Sequence, residues 1–292
     1  MRHGTVLCAL VVREEESMLI GSRRAGTRKA ASPRGRKVLL VSAATLAAAL
    51  GATTAVSAQD NLLTINGRGL PLGAGSPTRP LAKDLSFRVE VHPPGGVLPA
   101  PFERYRIVIQ GGRVYPRVLP SCSVAKAAAA DHARRCQSAR VGTGTVDIWY
   151  GAPKDPIATT PSCRIFSTFY NLGSGLAIRL DINERSRCPV AALPRNVLVA
   201  NFIRPRLGGK AASGIEFTVP PELRHIAGLS IVVKSLTGKF RRVLGQARVA
   251  GTKRSVGYFS SVACANRSQR LVAVSAVDEN GLSYRARARV PC

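Results

Sequence analysis

Short segments of alternating apolar and polar residues, separated by breaks rich in Gly and Pro, constrain the fold of this chain more than any other feature. Residues 86–91 place three apolar side chains on one face and two charged ones on the other, and residues 104–110 repeat the pattern. This period of two is typical of β-strands. A parallel α/β fold would need a helix between successive strands. We therefore predict an all-β fold, a β-sandwich or related barrel of about twelve short strands with one short helix.

The single predicted helix spans Val124 to Arg135. Ser123 can cap its N-terminus, because a serine hydroxyl accepts a hydrogen bond from the free N–H groups of the first turn. Four consecutive alanines at positions 127–130 favour the helical backbone.

The last two predicted strands form a hairpin in which Asn280-Gly281 suits a two-residue type I′ turn. This turn pairs Arg270 to Asp278 with Leu282 to Pro291 and sets Val277 opposite Tyr284. The residues that this register places on one mostly apolar face are Leu271, Ala273, Ser275, Val277, Tyr284, Ala286, Ala288 and Val290. The residues predicted to lie on the other, wet face as a candidate polyanion-binding set are Arg285, Arg287 and Arg289.

The N-terminal region, residues 1–58, resembles a leader with a signal peptide. Basic residues at positions 34, 36 and 37 precede an uncharged run, residues 38–58, that ends in small residues. Translation starts at Met1 or Met18. We predict cleavage after Ala58, with an uncleaved membrane anchor as the alternative. Cleaved or anchored, the rest of the chain lies outside the cytoplasmic membrane, secreted or at the cell surface.

Beyond the leader we predict two segments. Residues 59–83 contain many Gly and Pro and are interpreted as a strap or linker without a long regular element. Residues 84–292 are predicted to form a single all-β domain.

An even number of cysteines follows the leader, which in an exported chain indicates disulfide bonds. No Cys-x-x-Cys occurs, which argues against a redox motif or a zinc ribbon. The six candidates are Cys122, Cys136, Cys163, Cys188, Cys264 and Cys292. Counting alone leaves their connectivity open. Cys163 and Cys188 flank a predicted hairpin, and Cys264 and Cys292 lie at the same end of the last meander, so we favour pairing between sequence neighbours.

The chain is strongly basic, with a formal net charge of +27. Residues 59–292 carry 34 Lys and Arg against 13 Asp and Glu, a net charge of +21. This charge favours anionic envelope partners, such as a wall polymer or an acidic polysaccharide. The alternative is a compositional bias, because the arginines are scattered. Nucleic acid is not an expected partner, since no recognition helix, finger or RNA-binding motif occurs.

No catalytic or metal-binding pattern emerges. After residue 58 the histidines are His92, His132 and His225, and neither His-Glu-x-x-His nor Gly-x-Ser-x-Gly occurs. We interpret His132 as an exposed residue of the predicted helix and Trp149 as a core residue. We therefore predict no catalytic residue, no metal and no cofactor. The acids nearest to aromatic residues, which a glycosidase would need, are Asp147, Asp155, Asp181 and Glu184.

Several short motifs resemble a loosely defined group of actinobacterial secreted proteins of unknown function. They are Pro120-Ser121-Cys122-Ser123, Cys136, Val141-Gly142-Thr143-Gly144, Val219-Pro220-Pro221-Glu222-Leu223, and Cys264 and Cys292 around an Asn-Gly hairpin. The resemblance implies one β-rich extracytoplasmic unit and carries no activity. The pairing of Cys122 with Cys136 rests partly on it, because an unbroken helix would hold the two about 21 Å apart.

Two classes of function remain. The favoured class is an extracytoplasmic, non-catalytic binding or structural module of the envelope or secretome, and binding of a polyanion is an alternative role for such a module. The second class is a secreted hydrolase of an unrecognised kind. A deep pocket lined by two acids, or by His and Ser, would favour the hydrolase.

Overall fold

The computed structural model describes residues 63–69, 74–264 and 269–292, without the side chains of residues 66–69. The predicted leader and its cleavage point lie outside these residues. The strands are β1 (Leu63–Gly69), β2 (Leu81–Ala82), β3 (Leu85–Val91), β4 (Phe102–Gln110), β5 (Gly112–Val114), β6 (Arg140–Gly151), β7 (Ser162–Asn171), β8 (Gly175–Asp181), β9 (Val197–Ile203), β10 (Arg206–Leu207), β11 (Lys210–Thr218), β12 (His225–Ile226), β13 (Leu229–Phe240), β14 (Leu244–Val249), β15 (Thr252–Gly257), β16 (Phe259–Ser261), β17 (Gln269–Asp278) and β18 (Ser283–Pro291). The α-helices are α1 (Val124–Ala128), α2 (His132–Arg135) and α3 (Pro221–Arg224).

One large antiparallel sheet dominates the fold, in the strand order β1-β3-β13-β6-β7-β8-β9-β11-β4-β17-β18. Its two terminal strands, β1 and β18, lie side by side, so the sheet curls into a nearly closed barrel. The smaller sheets β2-β16-β5 and β14-β15 accompany it. The predicted all-β class is confirmed, in its barrel form. None of the helices in the described part of the chain has both the length and the apolar character needed to span a bilayer.

Alternate residues of the barrel strands point inward and build the main core. On β17 these are Val272, Val274 and Ala276, none more than 4% exposed. Aromatic rings add to this core, since the Phe240 ring centroid lies 4.9 Å from that of Phe169. Burying each such side chain stabilises the fold by about 1.5–3 kcal/mol.

Strand β1 lies within the segment predicted to be an irregular strap. It pairs with β3 from Leu63 opposite Val91 to Gly69 opposite Leu85. Leu63 and Ile65 are each only 4% exposed, so they belong to the core. The expectation of a strap without a long regular element is wrong here, because the alternating Leu63 and Ile65 are buried in the core while the backbone of β1 pairs with β3.

The predicted helix from Val124 to Arg135 is wrong in its length, because the chain forms two short helices, α1 and α2. The predicted cap is confirmed, with the Ser123 hydroxyl accepting a hydrogen bond from the Lys126 N–H. The helix stops where Arg179 of β8 donates its Nη1 hydrogen bond to the Ala128 carbonyl at 2.6 Å. A continuous helix would use that carbonyl for a main-chain N–H instead.

The last hairpin has a register one residue away from the prediction. Tyr284 lies opposite Ala276 rather than Val277. A shift of one residue exchanges the two faces of a strand, so the predicted apolar face is wrong on β17. The residues that face the core are Val272, Val274, Ala276, Tyr284, Ala286, Ala288 and Val290. The residues opposite the three arginines are Leu271, Ala273 and Ser275.

The side chain of Asp278 explains this register. Its Oδ1 accepts hydrogen bonds from the backbone N–H groups of Asn280 at 3.0 Å and Leu282 at 2.9 Å. Gly281 has a φ of +81°, whereas Asn280 does not enter the positive region, and a type I′ turn needs both residues there. The loop is therefore longer than the predicted two residues.

Three disulfides join Cys122 to Cys136, Cys163 to Cys188 and Cys264 to Cys292, with Cα–Cα distances of 5.5, 4.9 and 6.0 Å. The predicted pairing of sequence neighbours is confirmed. All three distances lie within the range for such bonds. Disulfides of this kind suit an oxidising compartment.

The hairpin predicts a measurable dependence of stability on pH. Burial, followed by the hydrogen bond to Asp278, raises the pKa of Tyr284 to about 12, above the ordinary value of about 10. The folded state therefore holds the phenol proton of Tyr284 more tightly than the unfolded state does. The stability that this proton contributes is complete below about pH 10 and is lost as the pH rises towards 12. We expect the urea midpoint of the wild type to fall more steeply above about pH 10 than that of Tyr284→Phe.

Tyr115→Phe is the matched control, because the Tyr115 hydroxyl bonds Arg113 rather than a carboxylate. Its pH profile should follow the wild type. Parallel profiles for the wild type and Tyr284→Phe would contradict the prediction.

Candidate functional site

Five exposed arginines lie on the outer surface of two barrel strands, β4 and β18, which flank β17. We call this surface the arginine face; it consists of Arg104, Arg106, Arg285, Arg287 and Arg289. The last three occupy alternate positions of β18, as the sequence predicts. Arg104 and Arg106 reach the same surface because β4 pairs with the other edge of β17.

The register fixes the spacing of these side chains. Ser275 of β17 lies between Arg285 on one side and Arg106 on the other, so these two arginines stand two strand spacings apart, about 9–10 Å. Alternate residues along β18 are about 6.8 Å apart. The positive charges thus form a grid on a gently curved surface.

Few acids balance this grid. Glu216 of β11 approaches Arg106, with 4.0 Å between the guanidinium Nε and a carboxylate oxygen. Among the residues that the structure describes, the other four arginines form no ion pair. The outward positions of β17 between the arginines hold no charge. The surface therefore keeps an excess of positive charge.

His132 belongs to a partly buried polar cluster, so its interpretation as an exposed residue is wrong. Its side chain is 14% exposed, and Nδ1 lies 2.8 Å from the Tyr170 hydroxyl. The carboxylate of Asp181 lies 3.7 Å from Nε2 and accepts a 2.8 Å hydrogen bond from Arg179. Burial raises the pKa of Tyr170. The cluster joins the two short helices to β7 and β8.

The other candidate acids and histidines lie apart from one another. Glu279 Oε2 contacts His225 Nε2 at 2.7 Å at the surface, while His92 bonds Thr64. Asp147 is partly buried, which alone would raise its pKa, but hydrogen bonds from Arg164 and Ser235 outweigh this and lower it. In the described ranges no group of three His, Cys, Asp or Glu side chains is placed to hold a metal ion.

Trp149, predicted to be a core residue, is 6% exposed. Lys234 covers its ring, with Nζ 5.4 Å from the ring centroid. The placement in the core is therefore confirmed.

Comparison with known proteins adds no assignment. No family model, no curated protein and no solved structure matches this chain. The resemblance to actinobacterial secreted proteins stays a prediction, and the candidate sites are judged by their own geometry.

The barrel interior contains two apolar cavities that the sequence did not predict. One, of about 190 Å³, lies at the end of the barrel where Cys188 to Leu193 follow β8. The other, of about 80 Å³, lies near Cys292 at the opposite end and includes the buried cations Lys83 and Arg270 in its wall. The alternation of apolar and polar residues in the sequence predicts which side chains of a strand point inward. It does not predict which strands enclose the same space, because that depends on the barrel topology.

The polar cluster around Arg179 makes a testable contribution to stability. Its side chain is 11% exposed and bonds Asp181 and the Ala128 carbonyl. We expect Arg179→Ala to lower the free energy of unfolding by about 1.5–3 kcal/mol, because it removes a charge-assisted hydrogen bond from Asp181 and one of the donors to the Ala128 carbonyl.

Arg88→Ala is the control, because Arg88 also pairs with a carboxylate, that of Glu90, but its side chain is 54% exposed. It should cost about 0–1 kcal/mol in urea denaturation. Equal losses for the two variants would contradict the structural role of the Arg179 cluster.

Proposed function

We propose that this chain is an extracytoplasmic, non-catalytic module that binds anionic polymers of the envelope through the arginine face. The observation that carries the proposal is the set of five exposed arginines on β4 and β18, with Glu216 as the single acid of the described residues in ion-pair range of them. Unbalanced positive charge raises the local concentration of anions. The guanidinium group also fits phosphate and carboxylate in two-pronged geometry.

The shape of the arginine face favours a polymer over a single small anion. Arg285 to Arg289 extend over about 14 Å of strand, on the convex outside of the barrel rather than in a cleft. Each exposed ion pair contributes only about 0.2–1 kcal/mol. A ligand therefore gains useful affinity only by presenting several anionic groups at once, as a wall polymer or an acidic polysaccharide does.

The compartment and the cavities agree with this proposal. The three disulfides support an oxidising, extracytoplasmic location. The larger cavity has neither two acids nor a His and Ser pair in its wall, the arrangements that would favour a hydrolase. These points support a binding module.

The experiment replaces Arg285, Arg287 and Arg289 together with Ser and measures binding to heparin as an acidic polysaccharide. At about 0.2–1 kcal/mol for each exposed pair, we expect affinity to fall by roughly 3- to 150-fold. The variant should also lose much of the salt dependence, because salt screens exposed charges.

The matched control replaces Arg241, Arg248 and Arg254, three exposed arginines at and beside the β14–β15 hairpin. It removes the same net charge from another surface and should bind heparin nearly as well as the wild type. Equal weakening by the two triple variants would mean that binding follows net charge alone and would reject the arginine face as the site.

A further inference from the structure

The wall of the larger cavity is almost entirely apolar. Its lining residues include no Asp, Glu, Lys, Arg or His, and its polar side-chain groups are the hydroxyls of Tyr105 and Tyr150. A water molecule needs two to four polar partners to be held in such a space. The wall therefore suits an uncharged, apolar occupant.

Tyr105 carries one of the buried polar groups that have no hydrogen-bond partner among the described residues. It points inward from β4 and is 1% exposed. Its ring stacks on Phe217 at a centroid distance of 5.3 Å and meets the edge of Phe102 at 5.6 Å. The hydroxyl has no hydrogen-bond partner among the described residues.

A buried hydroxyl without a partner is unfavourable, and most buried polar groups in proteins are paired. The ring contacts with Phe217 and Phe102 hold Tyr105 in place, among the residues that line the cavity. Burial raises the pKa of Tyr105, so the phenol stays protonated and can donate.

The segment that follows β8 covers the cavity. Part of the wall is Cys188 to Leu193, which follows β8 and is tied to β7 by the Cys163–Cys188 disulfide. Several residues of this segment are exposed or half-buried, so the cavity is separated from solvent by a single layer of chain. The disulfide keeps this layer close to the barrel.

We propose that this cavity binds a small, neutral, apolar molecule that carries one hydrogen-bond acceptor, and that Tyr105 donates to that acceptor. An apolar cavity of about 150 Å³ binds benzene, so the volume of about 190 Å³ suits a single ring with a short substituent or a short alkyl chain. The site is independent of the arginine face, which lies on the outer surface.

The test compares two ligands of equal size, acetophenone, which has a carbonyl acceptor, and isopropylbenzene, which has none. Binding is measured by calorimetry and by chemical-shift changes in the full chain. We expect the wild type to bind both ligands. In Tyr105→Phe the affinity for acetophenone should fall by about 3- to 10-fold, the net contribution of one hydrogen bond, while the affinity for isopropylbenzene is unchanged.

A cavity-filling variant locates the site. Val146 lines the cavity, so Val146→Phe should fill it and weaken the binding of both ligands. If Val146→Phe does not fold, Ile165→Phe is used in its place, because Ile165 also lines the cavity. Tyr105→Phe should be at least as stable as the ligand-free wild type, because it removes an unpaired hydroxyl.

Three results would overturn the proposal: no binding of either ligand by the wild type at millimolar concentration, an unchanged affinity for acetophenone in Tyr105→Phe, or unchanged binding in the filling variant. Heparin binding is measured on the same proteins. Heparin is proposed to contact the outside of the barrel, so heparin binding tests the arginine face separately from the cavity. Loss of one activity without the other then shows which of the two proposals has failed.

Discussion

The continuous antiparallel ladder of the large sheet determines both surfaces on which this protein can act. Every ladder along its path is antiparallel, and the pleat of each strand makes successive side chains alternate between the interior and the outside. The interior positions create a core that is not completely filled, and the exterior positions of β4 and β18, on either side of β17, bring together arginines from distant parts of the sequence. An inward apolar cavity and an outward basic surface are therefore two results of one hydrogen-bond pattern.

Much of this arrangement follows from local sequence. The period of two predicts the strands, and it places Arg285, Arg287 and Arg289 outside, because that alternation belongs to β18 alone. The pairing of Cys163 with Cys188 follows from the hairpin between them. These features depend on residues close in the sequence, so they can be predicted without the fold.

The rest depends on contacts between distant residues. The register of the last hairpin follows from Asp278, whose carboxylate bonds two N–H groups of the loop and overrides the preference of Asn-Gly for a two-residue turn. The helix breaks because Arg179, about 50 residues away, takes the carbonyl of Ala128. Arg104 joins the arginine face, and Tyr105 the cavity, only through the order of strands in the barrel.

The seam between β1 and β18 has a consequence for the order of folding. These strands lie side by side, although on the order of 200 residues separate them along the chain. Contacts between such distant segments carry a large loop-closure entropy and form slowly. Local hairpins such as β6–β7–β8 can form while synthesis continues, but the barrel cannot close until the ribosome has released β18. Until then β1 offers an open strand edge, and such edges pair readily with other chains. A chain arrested before β18 is therefore the form of this protein most prone to aggregate.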